Sequence, residues 1–148
     1  MDNKEVHLMD KEVLTKYAYI YNVSSQLVPL EEDISFSNND IIIDTITHTQ
    51  GTSIISIDNP GYYAVWFDVQ SIQPNMFTLM QNGTPISSIT YEFETGNQRN
   101  PGLVMITASA GDVLTLRNQT SSEAVTLQTM ADEIQSFANA SILIRKIR

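Results

Sequence analysis

The sequence has no cysteine, only two histidines and no long apolar segment. Without cysteine, the chain can form neither a disulfide framework nor a thiolate metal site. No run approaches the ~20 apolar residues that a membrane-spanning helix needs. The charged N-terminal residues also lack the apolar core and cleavage site of a secretory signal peptide. Bases are scarce as well: 8 Lys and Arg against 17 Asp and Glu give a net charge of −9, which repels phosphate backbones and argues against a nucleic-acid partner.

What the sequence does contain, from Tyr17 onward, is short segments in which apolar residues recur at every second position, as is typical of β-strands. The clearest strand follows the turn signal Asn59-Pro60-Gly61. Its alternating residues divide into a predicted core face (Tyr63, Val65, Phe67, Val69) and a half-polar face (Tyr62, Ala64, Trp66, Asp68). Such segments predict eight to ten strands in one domain of 148 residues, with turns every 8–12 residues, as in an all-β sandwich or barrel.

Two short connections predict hairpins. Asn82-Gly83 stands between two apolar runs, and this dipeptide favours a type I′ turn because both central residues need a positive φ. Residues 103–108 and 113–117 form two further runs, and only the Ala110-Gly111-Asp112 region separates them. That short gap predicts a second hairpin.

Two segments instead show helical spacing. Val6, Met9 and Val13 recur over less than three turns, which predicts either a frayed tail or the end of a trimeric stalk in residues 1–16. Four residues farther along the chain also have helical spacing, but the segment lacks helix caps and lies in a β-rich context, which favours a strand followed by a loop. These four residues are Leu127, Met130, Ile134 and Phe137.

The residues needed for catalysis or metal binding are sparse. His7 lies in the predicted tail, and His48 precedes a turn, where an ordinary loop or edge-strand histidine is expected. The acidic runs at residues 31–33 and 38–40 could supply oxygen ligands to calcium, but their spacing matches no EF-hand and favours solvated acidic loops. We therefore expect no enzyme activity, no cofactor and no resident metal.

Two further features are expected to carry no function. Asn22, Asn82, Asn118 and Asn139 begin N-x-[ST] sequons, which arise by chance in a chain rich in Asn, Ser and Thr. The C-terminal bases Arg145, Lys146 and Arg148 are expected to be solvated charges at a strand end.

Several motifs together resemble a known superfamily. They are AYIYN at 18–22, ITHTQGT at 46–52, NPGYYAVWFDV at 59–69, FTLMQNGTPI at 77–86, GDVLTLRNQTSSEAVTLQT at 111–129 and NASILIRKI at 139–147. In order and spacing they resemble the jelly rolls of the complement subcomponent q and tumour necrosis factor superfamily. The likeness is closest to the C-terminal domain of the BclA family of collagen-like glycoproteins of the bacterial exosporium.

This resemblance implies an all-β, ten-stranded jelly-roll sandwich over residues 17–148 that assembles as a homotrimer. Gly61 would be the turn glycine before the long central strand, and the C-terminal strand would lie near the centre of the inner sheet. Inner-sheet aromatic and aliphatic side chains would meet at the trimer axis, which makes Ile142 and Ile144 candidate interface residues.

The residues themselves leave the role of the aromatic side chains open. Tyr17, Tyr19 and Tyr21 lie on one face of the first strand and fit either core packing within one subunit or a trimer contact. Trp66 lies on the face opposite Phe67 and fits either a second packing layer or an anchor in the subunit interface.

Two functions agree with these features. The first is a structural and adhesive trimeric module, extracellular or on a spore surface, as the resemblance implies. The second is a lectin-like head of a phage or host-interacting fibre, which would bind a glycan or a host-surface protein through loops at residues 38–40 and 94–100. Neither function requires nucleic acid or insertion into a membrane.

Overall fold

A computed structural model describes residues 16–42, 45–71, 73, 75–86, 89–90, 98–119, 123–128, 130–131 and 136–148. The helical spacing at Val6, Met9 and Val13, together with His7, lies outside these residues. The strands are β1 (Tyr17–Asn22), β2 (Gln26–Val28), β3 (Asn38–Ile42), β4 (Ile46–His48), β5 (Ile55–Ile57), β6 (Gly61–Ser71), β7 (Phe77–Gln81), β8 (Thr84–Pro85), β9 (Ile89–Thr90), β10 (Gln98–Ala108), β11 (Asp112–Asn118), β12 (Val125–Leu127), β13 (Met130–Ala131), β14 (Ser136–Phe137) and β15 (Ala140–Lys146).

These strands form two main sheets. The larger sheet has the order β3-β1-β15-β6-β10-β9, and the smaller sheet has the order β4-β5-β11-β7-β8. Two short ribbons, β2 with β12 and β13 with β14, complete the described part. Fifteen strands are described, more than the eight to ten predicted, because pieces such as β8 and β13 are only 2 residues long.

The chain alternates between the two sheets as it proceeds: β6 and β10 belong to the larger sheet, whereas β7 and β11 belong to the smaller one. This crossing places two antiparallel sheets face to face and confirms the predicted jelly-roll sandwich. The C-terminal strand, β15, lies between β1 and β6, near the centre of its sheet as predicted.

The core lies between the sheets and follows the alternation seen in β6. Tyr63, Val65, Phe67 and Val69 are all buried in it, as predicted. Each such side chain contributes about 1.5–3 kcal/mol through the apolar surface that it removes from water. The hydroxyl of Tyr63 donates a hydrogen bond to the carbonyl oxygen of Asn59 at 2.6 Å, so this buried polar group is satisfied by the turn that starts the strand.

Gly102 interrupts the apolar alternation of β10 for a steric reason. It lies opposite Phe67 in the register of β10 and β6, and the Phe67 ring covers its α-carbon. A Cβ at this position would come within 3.0 Å of three ring atoms, closer than real Cβ contacts come. The ring therefore occupies the space that any other residue at 102 would need.

The turns divide into one prediction that is confirmed and one that is wrong. Asn82 (φ 52°) and Gly83 (φ 77°) both have positive φ, as the predicted type I′ hairpin between β7 and β8 requires. The turn at Gly111 is equally tight, but it leads from β10 in the larger sheet to β11 in the smaller one. The predicted second hairpin is therefore not formed, because the chain crosses between the sheets at this turn.

Gly61 stands at the start of β6, where the C-terminal end of the described chain passes over it. The backbone nitrogen of Tyr62 donates to the carbonyl oxygen of Arg148 at 2.8 Å, and a Cβ on Gly61 would collide with that same carbonyl group. Its φ of 156° is also unfavourable for side chains. The expected turn glycine is thus required both by its backbone conformation and by this close approach.

Three of the four sequon asparagines are internal structural residues. Asn22, Asn118 and Asn139 are at most 1% exposed, whereas Asn82 is exposed in its turn. The Nδ2 of Asn22 donates to Oδ1 of Asn139 at 2.8 Å. The Nδ2 of Asn139 donates to the carbonyl oxygens of Ser24 and Gln128 at 3.1 and 3.0 Å. These asparagines hold loops together at one end of the sandwich and offer no accessible amide to a glycan.

The described residues of the segment with helical spacing near the C-terminus form short strands, apart from Gln128. Leu127 ends β12, Met130 begins β13 and Phe137 ends β14, while Ile134 lies outside the described residues. The context of the segment therefore outweighed its periodicity.

Candidate functional site

The strongest candidate for a functional surface is the outer face of the larger sheet, which we define as the side chains of that sheet that point away from the core. On β1, the buried Ala18 and Ile20 point inward, so Tyr17, Tyr19 and Tyr21 point outward. The remaining members with described side chains are Asn38 and Ile41 on β3, Ser141, Leu143 and Arg145 on β15, Tyr62, Ala64, Trp66, Asp68 and Gln70 on β6, and Leu103, Met105 and Thr107 on β10.

The centre of this face is an unbroken row of apolar and aromatic residues across five strands. In the register of the sheet, Ile41, Tyr19, Leu143, Trp66 and Leu103 are successive cross-strand neighbours; we call them the apolar row. Directly paired side chains on one sheet face lie about 5 Å apart and touch. Because Trp66 is 38% exposed and Leu103 is 49% exposed, the row remains open to solvent in the single chain.

The tyrosines of β1 extend the apolar row along the strand. The rings of Tyr19 and Tyr21 stack with centroids 5.6 Å apart and an interplanar angle of 28°. Their side chains are half-buried, so each keeps one surface in solvent. The sequence left two roles open for the tyrosines of β1, core packing or a trimer contact. The structure excludes core packing, because Ala18 and Ile20 are the residues of β1 that enter the core.

On β6 and β10, two large side chains add to the exposed apolar surface. Met105 is 60% exposed and Tyr62 is 52% exposed. Ala64 pairs directly with Met105 and lies two residues from Tyr62 on β6, and its own side chain is buried. Contiguous apolar surface of this kind on a soluble chain is typical of an interaction site.

The outer face of the smaller sheet is different in composition. Its side chains are Thr47, Ser56, Thr78, Met80, Val113, Thr115 and Arg117. Met80 is buried, and none of these residues is among the exposed large hydrophobic side chains. Among the described strand residues, large exposed apolar side chains therefore lie on the outer face of the larger sheet and not on that of the smaller one.

Ile142 and Ile144 do not belong to this surface. Both are fully buried in the core between the sheets, and Leu143 takes the outward position between them. This corrects the expectation that they are interface residues, because a side chain enclosed by its own subunit has no surface to offer a second copy. Trp66 lies opposite Phe67 as predicted, and it is exposed at the centre of the outer face.

Among the regularly paired side chains of the outer face, charge is confined to its two ends, and Asp40 is exposed at the bulge in the edge strand β3. Arg145 lies beside Tyr17 at one end, and Asp68 lies beside Ser141 at the other. Arg145 pairs with Ala64 on β6, and Ala64 is four residues from Asp68 on the same strand. Four residues of a strand span about 13 Å, so Arg145 and Asp68 are too far apart for a direct ion pair. The apolar row lies between these two charges.

Of the acidic residues expected to lie in loops, Asp33 has a partner within the fold. Asp33 accepts a hydrogen bond from Nε of Arg117 at 2.9 Å, and this hydrogen bond is the main reason that the pKa of Arg117 is raised. Residues 38–40 are in strand β3 and are not a loop at the end of the sandwich, which corrects that part of the expected ligand site. Of residues 94–100, the first four lie outside the described residues and the last three begin β10.

An open groove of about 490 Å³ lies beside these acids. Its lining includes Leu27, Glu32 and Asp33, together with the hydroxyl-bearing residues Ser24, Ser35 and Ser37. The side-chain amide of Gln26 spans the groove, accepting from the backbone nitrogen of Ser35 at 3.0 Å and donating to its carbonyl oxygen at 2.7 Å. Sequence reasoning did not find this groove, because its walls come from irregular segments with no periodic signal.

His48 is a structural edge-strand residue, as expected. It is 9% exposed at the end of β4, and its Nε2 lies 2.8 Å from the carbonyl oxygen of Thr52. Its Nδ1 contacts Oδ1 of Asn39, which links the edge strands of the two sheets.

Within the described residues, no three His, Asp or Glu side chains are close enough together to hold a metal ion. The described part also contains no helix long and apolar enough to cross a membrane.

Comparison with known proteins identifies the fold alone. No protein-family model and no curated protein sequence matches the chain. The globular domain of zebrafish complement 1qA protein superposes with a TM-score of 0.69 at 12% identity, covering 90% of this chain and 98% of that one. Eiger TNF from S. frugiperda gives 0.59 at 14% identity, covering 89% of this chain and 92% of that one. Murine APRIL gives 0.55 at 8% identity, covering 88% and 98%. The chain therefore has a complement- and tumour-necrosis-factor-like jelly-roll fold.

Proposed function

We propose that this chain is a homotrimeric binding head, in which the outer faces of three larger sheets meet around a three-fold axis. The observation that carries the proposal is the apolar row from Ile41 to Leu103, which no part of the described chain covers. The occupant that we propose for this face is two further copies of the same chain.

The low charge of the apolar row favours self-association through this face. The chain has a net charge of −9, so two copies repel each other across most of their surfaces. The regularly paired residues of the outer face include one described base, Arg145, and one described acid, Asp68, at opposite ends, and Asp40 lies at the edge of the sheet. Two copies that meet at the apolar row therefore bring few like charges together and bury exposed apolar surface.

The number of copies follows from the sequence resemblance. The motifs from residue 18 to 147 resemble domains that form trimers, and the jelly-roll fold agrees with that resemblance. In a cyclic trimer each chain uses two different parts of its surface, one for each neighbour. A sheet face that is apolar across five strands is broad enough to supply both.

The biological role that we propose is structural and adhesive, as an extracellular head on a bacterial spore surface. It rests on the resemblance of residues 59–69 and 111–129 to the exosporium family. A second candidate is a ligand-binding head of a phage or host-interacting fibre, recognising a glycan or a host-surface protein. The observation that favours it is the open groove beside Leu27 and Glu32, which no part of the described chain fills.

Native mass spectrometry and light scattering test the assembly. We expect a mass of three chains of 16.6 kDa at micromolar concentration. Trp66→Arg should yield folded monomers, since it places a charge in the middle of the apolar row. Thr47→Arg, on the outer face of the smaller sheet, is the matched control and should remain trimeric. A monomeric or dimeric parent protein would refute the trimer, and dissociation by both variants would refute the choice of face.

A glycan array and a host-protein array separate the two roles. A ligand whose binding is abolished by Leu27→Arg but retained by Thr47→Arg would support the fibre-head candidate and place its site in the groove. The absence of any reproducible ligand would leave the structural role alone.

A further inference from the structure

The turn between β7 and β8 contains the one asparagine in the sequence that is followed by glycine, Asn82-Gly83. This dipeptide is chemically labile, because glycine has no side chain to hinder attack by its own backbone nitrogen. A bond forms between the Gly83 nitrogen and Cγ of Asn82, and the Cγ–Nδ2 bond breaks. The proton from the Gly83 nitrogen leaves with the amide group as ammonia. Water then opens the resulting succinimide ring to aspartate or isoaspartate.

In the folded chain, both polar atoms of the Asn82 side chain are held against β11. Nδ2 of Asn82 donates to Oδ1 of Asp112 at 2.9 Å, and Oδ1 of Asn82 accepts from the backbone nitrogen of Val113 at 2.9 Å. The backbone nitrogen of Asn82 also donates to the carbonyl oxygen of Val113 at 2.8 Å. To reach the Gly83 nitrogen, the side chain must turn away from β11 and break both of its hydrogen bonds.

We propose that Asn82 is a deamidation site that the folded turn suppresses, so that the rate of its conversion reports the fraction of time for which this turn is open. The site is exposed, and water for the second step is therefore always present. The rate is limited by the fraction of time for which the two side-chain hydrogen bonds are broken.

Conversion at this position would weaken the junction between the two sheets. Asp112 also accepts from the backbone nitrogen of Ser109 at 2.8 Å and from Nε2 of Gln81 at 2.9 Å, and the same Gln81 nitrogen donates to the carbonyl oxygen of Thr107 in β10. Aspartate at position 82 would place a second carboxylate against Asp112 in place of a donor. Isoaspartate would add a methylene group to the main chain of a two-residue turn, whose geometry has no room for it.

The experiment compares three samples in neutral buffer: the folded chain, the urea-unfolded chain and folded Asp112→Ala, which lacks the carboxylate that holds Asn82. Peptide mass spectrometry follows the conversion of Asn82. Asn59 and Asn100 are internal controls, because each precedes a proline whose nitrogen has no proton to lose. Circular dichroism checks that the alanine variant is folded, and if it is not, the comparison of the folded and unfolded parent chain tests the proposal alone.

We expect the unfolded chain to react about tenfold or more faster than the folded chain, since two hydrogen bonds must break in the latter. The Asp112 variant should have an intermediate rate while it remains folded. Equal rates in the folded and unfolded chains would overturn the proposal, as would a folded Asp112 variant that reacts no faster than its parent. The proposal does not depend on the oligomeric state, so it stands or falls separately from the trimer.

Discussion

Replacement of Gly102 by alanine is expected to destabilise the domain by about 3 kcal/mol, at the upper end of the cost of overpacking a core. The added Cβ would come within 3.0 Å of three atoms of the Phe67 ring. That ring is only 3% exposed, and it lies between Gly102 on one neighbouring strand and Ile142 on the other. Because the ring has no open space to move into, the backbones of β6 and β10 must separate.

Thermal and urea denaturation at a fixed protein concentration measure this effect. For a domain of this size, we expect the melting temperature to fall by about 6–12 °C, at roughly 2–4 °C per kcal/mol. Gly51→Ala is the matched control, since it makes the same chemical change where an added Cβ meets nothing within 4 Å. Because position 51 has a positive φ, the alanine should still lower the free energy of unfolding by about 1–2 kcal/mol.

A double mutant tests whether the Phe67 ring is the cause. Phe67→Leu alone should cost about 1–2 kcal/mol for the lost burial. Combined with Gly102→Ala, it should cost less than the sum of the two single changes, because the smaller side chain leaves room for the new methyl group. Gly102→Ala within about 0.5 kcal/mol of its parent, or strictly additive effects in the double mutant, would refute the steric argument.

Three further predictions concern other parts of the structure. Asn139→Ala should cost about 1–3 kcal/mol in urea denaturation, because it removes a buried amide that accepts from Asn22 and donates to the carbonyl oxygens of Ser24 and Gln128; a loss below about 0.5 kcal/mol would contradict this role. Ile144→Ala should lower the stability of each chain by about 2–5 kcal/mol, whereas Leu143→Arg should leave chains folded and reduce trimer mass in light scattering; the reverse assignment would show that the two faces of β15 are exchanged. The hydrogen bond from Asn82, followed by those from Ser109 and Gln81, lowers the pKa of Asp112 below its usual value of 3.8. The stability contributed by Asp112 is therefore present above pH 3.8 and is lost as the pH falls through its folded pKa, so Asp112→Asn should show a weaker acid-induced loss in denaturation series below about pH 4 than its parent.

Alternation predicted the faces of β6 from the sequence because that strand is long and its two faces differ in chemistry. The same argument could not orient β15, where Ile142, Leu143 and Ile144 are all apolar. Their directions are set by the register with β1 and β6, which is information from distant parts of the chain. The misassigned interface residues are a direct result of this ambiguity.

The tyrosines of β1, Tyr17, Tyr19 and Tyr21, show a second limit of pattern analysis. On β1 both sets of alternating residues are apolar enough to enter a core, and the larger rings are not the ones that do. Ala18 and Ile20 face inward because the space between the sheets is already occupied by Phe36, Tyr63 and their neighbours. Packing volume, which depends on the whole core, decided what local periodicity left open.

The second predicted hairpin failed for a topological reason. A tight turn at Gly111 is compatible either with pairing of its two strands or with a crossing between sheets. β10 already has β6 as a long partner, and β11 is paired on both sides by β5 and β7. Turn length predicted the sharp reversal, but only the pairing of the whole sheet shows where each strand goes.

The pairing of β1 with β15 has a consequence for how the chain is made. Tyr17 aligns with Arg145 and Asn22 with Ala140, so the first of the described strands in chain order is hydrogen-bonded to the last of them. β15 in turn separates β1 from β6, and without it the larger sheet is split in two. During synthesis, the edge of β1 that pairs with β15 therefore stays unpaired until nearly the whole domain has emerged. Pairing of β15 closes the sheet and also assembles the apolar row, so nascent chains present no finished surface to one another until β15 has emerged.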